Sequence, residues 1–174
     1  MFPYLIITAL KRNKPETVLD VGTRTGWVAD AFAKDGATVT AIDPELMPET
    51  ADVHDVDFIE TTLETFQSTQ AYDLVIANLV SHLVAYSTLD YLSKLKSLTT
   101  PSGLIYVTLL GDQDGWSDKP KAKATEYDEA LGFIDAAGLK PIYRSVSWHD
   151  GKTYDEAAKF WHLYTFVLEA KAAD

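Results

Sequence analysis

Two acidic residues and two glycines could together form a binding site for a nucleoside. Asp20 ends a short apolar run, and Gly22 and Gly26 follow it within a turn that is rich in threonine. Asp43 ends the next apolar run. Glycines let a ligand approach the backbone, and a carboxylate at the tip of the second strand can accept hydrogen bonds from ribose hydroxyls. These residue types at this spacing therefore predict a nucleoside-binding turn.

The elements that would position these residues follow from the apolar pattern. Residues 17–19 are β-branched and apolar, which predicts a buried strand that ends at Asp20. Apolar residues recur at helical spacing over residues 27–32, and residues 38–42 predict a second strand that ends on Asp43. The stretch is thus a β-turn-α-β unit with glycines between its first strand and its helix.

The glycine spacing distinguishes between nucleoside cofactors. A dinucleotide-binding turn has the pattern G-x-G-x-x-G, whereas residues 22–27 read G-T-R-T-G-W, and the missing third glycine argues against an NAD-dependent enzyme. The stretch resembles motif I of the class I S-adenosylmethionine-dependent methyltransferases, usually written hydrophobic-L-D-x-G-x-G-x-G. Asp20, Gly22 and Gly26 match that motif. Asp43 matches the acid that holds the ribose in this family.

One residue of the turn departs from the family motif. Arg24 stands where the family has its middle glycine, close to the methionine part of the cofactor. A β-carbon and a long cationic side chain must therefore be accommodated there. This departure keeps open a second class of function, a protein that binds S-adenosylmethionine for regulation and has lost catalysis.

The resemblance also implies which residues contact S-adenosyl-L-methionine. Thr62 stands where the family often has an aspartate at the adenine, and its hydroxyl can still hydrogen-bond the exocyclic amine. The cofactor-binding residues implied by the resemblance are Asp20, Gly22, Thr23, Arg24, Gly26, Asp43, Pro44, Thr62, Leu63 and Asn78.

Composition limits the classes of partner and cellular location. The chain has 174 residues, of which 47% are hydrophobic and 24% are charged, and this fits one soluble methyltransferase domain over residues 1–174. The net charge of −11 argues against nucleic acid, and the absence of cysteine excludes thiolate metal sites and a cysteine nucleophile. The apolar run at residues 4–10 is too short for a membrane anchor and lacks the features of a signal peptide, so we expect a cytoplasmic protein.

The rest of the chain predicts the other elements of a Rossmann-like sheet. Strands are expected at residues 57–60, 72–77, 104–110, 140–148 and 160–170, helices at 2–10, 89–98 and 126–137, turns at 101–103 and 149–152, and an exposed linker at 119–125. Together these elements match the methyltransferase fold, a three-layer α/β/α arrangement around a doubly wound, seven-stranded sheet. In that fold the last strand is antiparallel and lies between the fifth and the sixth.

A second set of residues should meet at the same edge of the sheet, because an antiparallel last strand starts where the parallel strands end. These residues lie after the fifth strand, at the start of the last strand, and after the fourth strand, and they are Asp112, Asp114, Trp116, Trp161, His162 and His82. The pattern G-D-x-D-x-W followed by W-H resembles small bacterial methyltransferases akin to the tellurite-resistance enzymes, which commonly carry H-W-H. This chain has phenylalanine in place of the first histidine.

These residues could bind a small-molecule methyl acceptor. The sequence leaves open the identity of this acceptor and the oligomeric state of the protein, monomer or dimer. If the acceptor must lose a proton, His162 is the first candidate base, followed by His82 and His149, because imidazole titrates near neutrality. The two tryptophans could border a planar substrate or the sulfonium, and the two aspartates would favour a cationic acceptor. Purely structural roles stay open too, as a helix cap for His82 and as rim or core aromatics for the tryptophans.

Overall fold

The computed structural model describes residues 8–153 and 155–172. Seven strands form one sheet, namely β1 (Thr17–Val21), β2 (Thr38–Asp43), β3 (Val56–Glu60), β4 (Tyr72–Ala77), β5 (Thr99–Leu110), β6 (Leu139–Lys152) and β7 (Ala158–Ala170). Besides the helical residues 8–11, the described ranges contain three α-helices, α1 (Trp27–Ala33), α2 (Thr88–Ser97) and α3 (Tyr127–Ala136), with short 3₁₀ turns at Pro48–Asp52 and Pro120–Ala122.

The strand order confirms the predicted fold class. The sheet runs β3-β2-β1-β4-β5-β7-β6. Strands β1 to β5 are mutually parallel, and β7 pairs antiparallel with both β5 and β6. The carboxyl ends of the parallel strands and the start of β7 therefore share one edge, where ligands bind in open α/β sheets.

Two apolar layers bury the two faces of this sheet. Helix α1 packs on one face through Val28, Ala29 and Phe32. Helices α2 and α3 pack on the other face, in a cluster that includes Leu92 and Ile134. Because both faces are covered, the central strands are continuous apolar runs, as parallel strands in three-layer folds are.

Strand β5 starts earlier than the sequence predicts. The expected turn at residues 101–103 lies within this strand. Tyr72 is opposite Thr99 whereas Leu74 is opposite Leu104, so β5 bulges between these two pairs. Proline lacks a backbone N–H and is tolerated at such an irregularity, which is why Pro101 does not end the strand.

The predicted turn at residues 149–152 is also wrong. These residues continue β6, and the register runs without a break from Trp148 opposite His162 to Lys152 opposite Ala158. A polar, glycine-containing stretch looks like a turn locally, but pairing with β7 keeps it extended.

The segment at residues 119–125 is only partly the exposed linker that the sequence predicts, because residues 119–121 are exposed whereas residues 122–125 are buried or half-buried. Ala122 and Thr125 are buried, and the ammonium of Lys123 reaches the backbone of another loop. The predicted helix at residues 2–10 lies largely outside the described residues. Residues 8–11, where the described residues begin, are helical. No helix in the described part of the chain has the length and apolarity needed to span a membrane.

Candidate active site

The turn between β1 and α1 adopts a left-handed backbone at three positions. The φ angles are 73° at Gly22, 52° at Arg24 and 78° at Gly26. The N–H groups of Gly22 and Thr23 donate to the carbonyl of Ile42 at 2.8 and 3.1 Å. The turn is therefore tied to the second strand next to Asp43.

The two glycines are also required by close packing. A β-carbon on Gly22 would lie 2.5 Å from Val80 Cγ2, and one on Gly26 would lie 2.8 Å from Phe58 Cζ. Protein side chains thus fill the space beside both glycines, which the sequence interpretation assigned to a ligand.

Asp43 holds the turn and keeps capacity for a ligand. Its Oδ2 accepts from the Arg24 N–H at 3.0 Å, and its Oδ1 accepts from the Glu45 N–H at 2.9 Å. An ionised carboxylate offers about four acceptor positions, so lone pairs remain for two hydroxyls.

Asp20 is a buried carboxyl near the end of β1, just before the same turn. Its side chain is 3% exposed, and neither its Oδ2 nor the Thr23 Oγ1 has a hydrogen bond of normal geometry within the described residues. Burial raises the pKa of Asp20 to about 6, hydrogen bonding to the Thr23 hydroxyl and to the Ala29 backbone N–H partly offsets this, and the charge of Asp43 adds to it. A buried carboxylate with such weak hydrogen bonding fits a ligand that brings a cationic group.

The other predicted cofactor residues also follow the ends of parallel strands. Leu63 buries its side chain in the core, so only its backbone could face a ligand. The Thr62 hydroxyl lies 3.0 Å from the Thr65 hydroxyl, and Asn78 Oδ1 accepts from the Tyr106 hydroxyl at 3.4 Å. Pro44 is exposed directly after β2.

The predicted acceptor residues meet at the same edge of the sheet. The Trp116 ring centre lies 5.4 Å from that of His82 and 5.9 Å from that of Trp161. The loop after β5 is fastened to β7, because the Gly111 N–H donates to the His162 carbonyl at 2.7 Å. Residues from three separate segments therefore form one wall, as the topology predicts.

His162 is enclosed rather than open to the edge. Its side chain is 3% exposed and stacks on Trp148 at a ring distance of 5.1 Å. Its Nδ1 accepts from the Gln113 N–H at 3.1 Å and is therefore unprotonated. The Asp112 Oδ1, which lies 3.5 Å from this nitrogen, consequently forms no ion pair with it. Burial lowers the pKa of His162, and the role of this residue as a base stays a prediction.

Asp114 has a different partner from the cationic acceptor suggested by the sequence. Both carboxylate oxygens lie 2.6 Å from Lys159 Nζ, and the two side chains are 0% and 2% exposed. The carboxylate also accepts the backbone N–H groups of Trp116 and His162. Its charge is therefore used inside the protein, and the earlier interpretation of Asp114 is corrected.

The tryptophan faces are occupied as well. Lys159 Nζ lies 3.4 Å from the Trp161 ring centre and 4.6 Å from that of Trp116, and Lys119 Nζ lies 5.0 Å from the latter. The cation-π contacts that we expected for a sulfonium are made by the protein's own lysines.

Burial together with the charge of Lys159 lowers the pKa of His82 to about 4, which keeps this imidazole neutral at pH 7.

A comparison with known families bears on this site. A family model described as a methyltransferase domain matches residues 4–161. The chain belongs to this methyltransferase family. The prediction of a class I S-adenosylmethionine-dependent methyltransferase is thereby confirmed. No curated protein matches the sequence.

Solved structures share the fold of this methyltransferase. The 1,6-didemethyltoxoflavin-N1-methyltransferase of Burkholderia thailandensis, with bound 1,6-didemethyltoxoflavin and S-adenosylhomocysteine, has a TM-score of 0.71 at 19% identity over 98% of this chain and 78% of its own. TehB from Haemophilus influenzae has a TM-score of 0.76 at 13% identity over 95% of this chain and 61% of its own. The N-methyltransferase NodS from Bradyrhizobium japonicum, in complex with S-adenosylhomocysteine, has a TM-score of 0.65 at 14% identity over 94% of this chain and 85% of its own.

Sequence reasoning missed one charged residue of the candidate site. Lys159 lies two positions before Trp161, so strand alternation would have placed both on one face. The predicted strand began one residue too late to include Lys159.

Replacing Asp20 with asparagine is expected to stabilise the methyltransferase above pH 6. The folded-state pKa of about 6 exceeds the ordinary value of 3.8. Between pH 3.8 and about pH 6 the folded chain therefore keeps a proton that the unfolded chain releases, and the stability of the wild type falls as the pH rises through this range. We expect a gain of about 1 kcal/mol at high pH, less than the full charge cost because the amide is buried too. The measurement is the melting temperature of the wild type and of Asp20→Asn from about pH 4.5 to about pH 8.5. A constant difference between the two proteins over this range would contradict the prediction.

Replacing Arg24 with glycine is expected to give a more stable protein than replacing it with alanine. Both variants lose the guanidinium, but only alanine keeps a β-carbon at a φ of 52°. The left-handed conformation of a non-glycine residue costs about 1 kcal/mol. Urea unfolding of the two variants measures the difference, and equal midpoints and slopes would show that the backbone stores no strain there.

Proposed function

We propose that this chain transfers a methyl group from S-adenosylmethionine to a small molecule. The observation that carries the proposal is a pair of carboxylates beside the left-handed turn, namely Asp43, which fastens the turn to β2, and the buried Asp20, whose Oδ2 has no hydrogen bond of normal geometry within the described residues. The Asp20 carboxylate suits the cationic part of the donor, and the Asp43 carboxylate suits its ribose.

The residues of the chain would bind and orient the donor. Asp43 would accept from the two ribose hydroxyls while it still accepts the N–H of Arg24. Thr62 and the Leu63 backbone would contact the adenine, and Asn78 would border the methionine part. When bound, the donor supplies an electrophilic methyl group on its sulfonium, so the protein mainly has to hold the acceptor in line and exclude water.

The wall formed by His82, Trp116 and Trp161 would border the acceptor. His82 is neutral at pH 7 and offers an unprotonated nitrogen, although a pKa of about 4 makes it a weak base. Asp112 is an exposed carboxylate of the loop after β5, and although its Oδ1 accepts from the Tyr164 hydroxyl at 3.0 Å it could still attract a cationic group. Because two of the compared structures are N-methyltransferases, amines and ring nitrogens come first in a screen of acceptors.

A donor-binding protein without catalysis is the second candidate. It is favoured by Arg24 in the turn and by Val80, which packs on the α-carbon side of Gly22. Calorimetry with S-adenosylmethionine and S-adenosylhomocysteine tests donor binding, and methyl release over an acceptor panel separates an enzyme from a sensor. Binding of neither compound would overturn both candidates. Tight binding of NADH in a fluorescence titration would instead support the alternative that the protein is an NAD-dependent enzyme.

A further inference from the structure

The loop that follows β4 lies between the two halves of the candidate site. At its start Val80 packs on Gly22 of the donor turn. Two residues later, His82 lies against Trp116 of the acceptor wall. The position of this loop, residues 78–87, therefore sets both the space above the turn and the position of the wall.

Lys123 holds this loop from the acceptor side. It belongs to the connection between β5 and α3, and its Nζ donates to the carbonyl of Ser81 at 3.0 Å and also to the carbonyl of Val84. Its backbone is left-handed, with φ of 54°, a strained conformation for lysine. Burial lowers the pKa of Lys123, and the charge of Glu64 partly offsets this.

Glu64 holds the same loop from the donor side. It follows β3, directly after Thr62 and Leu63, and its Oε1 accepts from the Ala85 N–H at 2.6 Å. The loop thus has a cation on two of its carbonyls and a carboxylate on one of its N–H groups. Its own backbone contributes a hydrogen bond from the Leu83 N–H to the Val80 carbonyl.

We propose that Lys123 and Glu64 are positioning residues that hold the loop after β4 in the shape needed to bind the methyl donor. The inference rests on the proposed function, because the ligand whose site is being shaped is S-adenosylmethionine. Neither residue needs to touch the donor. Each acts through the loop, which carries Val80 to the glycine turn.

The test compares Lys123→Met with Lys121→Met. Both variants lose one positive charge from the same short segment, but Lys121 is exposed whereas Lys123 is bonded to the loop. We expect hydrogen exchange at the Leu83 and Ala85 amides to become about tenfold faster in Lys123→Met, and its dissociation constant for S-adenosylhomocysteine to rise about tenfold. Lys121→Met should change both by less than about twofold, and Lys123→Arg should restore both because guanidinium can serve two carbonyls.

Glu64 provides an independent arm if Lys123→Met fails to fold. Glu64→Ala removes the acceptor of the Ala85 N–H, whereas Glu64→Gln keeps an acceptor oxygen. Alanine should therefore reproduce the faster exchange and weaker binding, and glutamine should reproduce less of either.

Three results are decisive. Unchanged exchange in both Lys123→Met and Glu64→Ala would show that these residues do not hold the loop. Faster exchange with unchanged affinity would show that the loop does not shape the donor site. Either result overturns the inference while leaving the proposed function intact, whereas a wild-type protein that binds no donor overturns both.

Discussion

Replacing Asp43 with alanine is expected to weaken binding of S-adenosylhomocysteine by about a hundredfold. The carboxylate would accept two ribose hydroxyls, and hydrogen bonds to charged groups contribute about 1.5–3 kcal/mol each. The variant also frees the Arg24 N–H, which fastens the donor turn to β2, and the Glu45 N–H of the loop after β2. The losses act on the same site, so substitution of Asp43 should weaken binding more than substitution of any residue of the turn. Isothermal calorimetry measures the effect without requiring an acceptor.

Two variants make this result interpretable. Asp57→Ala removes the same charge from an exposed position on the neighbouring strand β3, and it should leave affinity unchanged. Asp43→Asn keeps one acceptor oxygen and should give an intermediate loss. An affinity in Asp43→Ala equal to that of the wild type would refute the ribose assignment, provided that its melting curve shows a folded protein.

The elements that carry the candidate donor site could be predicted because their determinants are local. The strand, the glycine turn and the next strand lie within residues 17–43, and periodicity places each element within that range. The structure brings Arg24 and Asp43 together, because the Arg24 N–H donates to Asp43 Oδ2 at 3.0 Å. What sequence reasoning could not supply was the packing of Val80 on Gly22, since these residues meet through pairing of β1 with β4 rather than through any short motif.

The acceptor half was harder because its contacts join distant parts of the chain. Asp114 and Lys159 are 45 positions apart, and only the antiparallel register of β5, β7 and β6 brings them together. Without that register, two aspartates and two tryptophans suggested a site for a cation. With it, one aspartate and both aromatic faces are satisfied by Lys159. Charge in a loop predicts ligand charge only after its internal partners are known.

Replacing Lys159 with methionine is expected to cost about 3–5 kcal/mol of unfolding free energy. The ion pair with Asp114 is 2% and 0% exposed, so the variant leaves a carboxylate buried without its counter-charge. For a chain of this size the melting temperature should fall by about 10 °C. Tryptophan fluorescence should change as well, because the ammonium lies 3.4 Å from the centre of the Trp161 ring.

A second substitution separates loss of the charge pair from loss of packing. In Lys159→Met/Asp114→Asn the buried charge is gone, and the side-chain oxygen of asparagine can still accept one of the two N–H groups, which the carboxylate accepts through Oδ1 from Trp116 and through Oδ2 from His162. A large part of the stability should return, because what destabilises the single variant is the unpaired carboxylate, but one N–H group loses its acceptor. Lys140→Met breaks an exposed ion pair with Glu169 on the same hairpin, and it should cost less than about 0.5 kcal/mol. If the double variant were as unstable as Lys159→Met, the lysine would act through its contacts with Trp116 and Trp161 rather than through its charge.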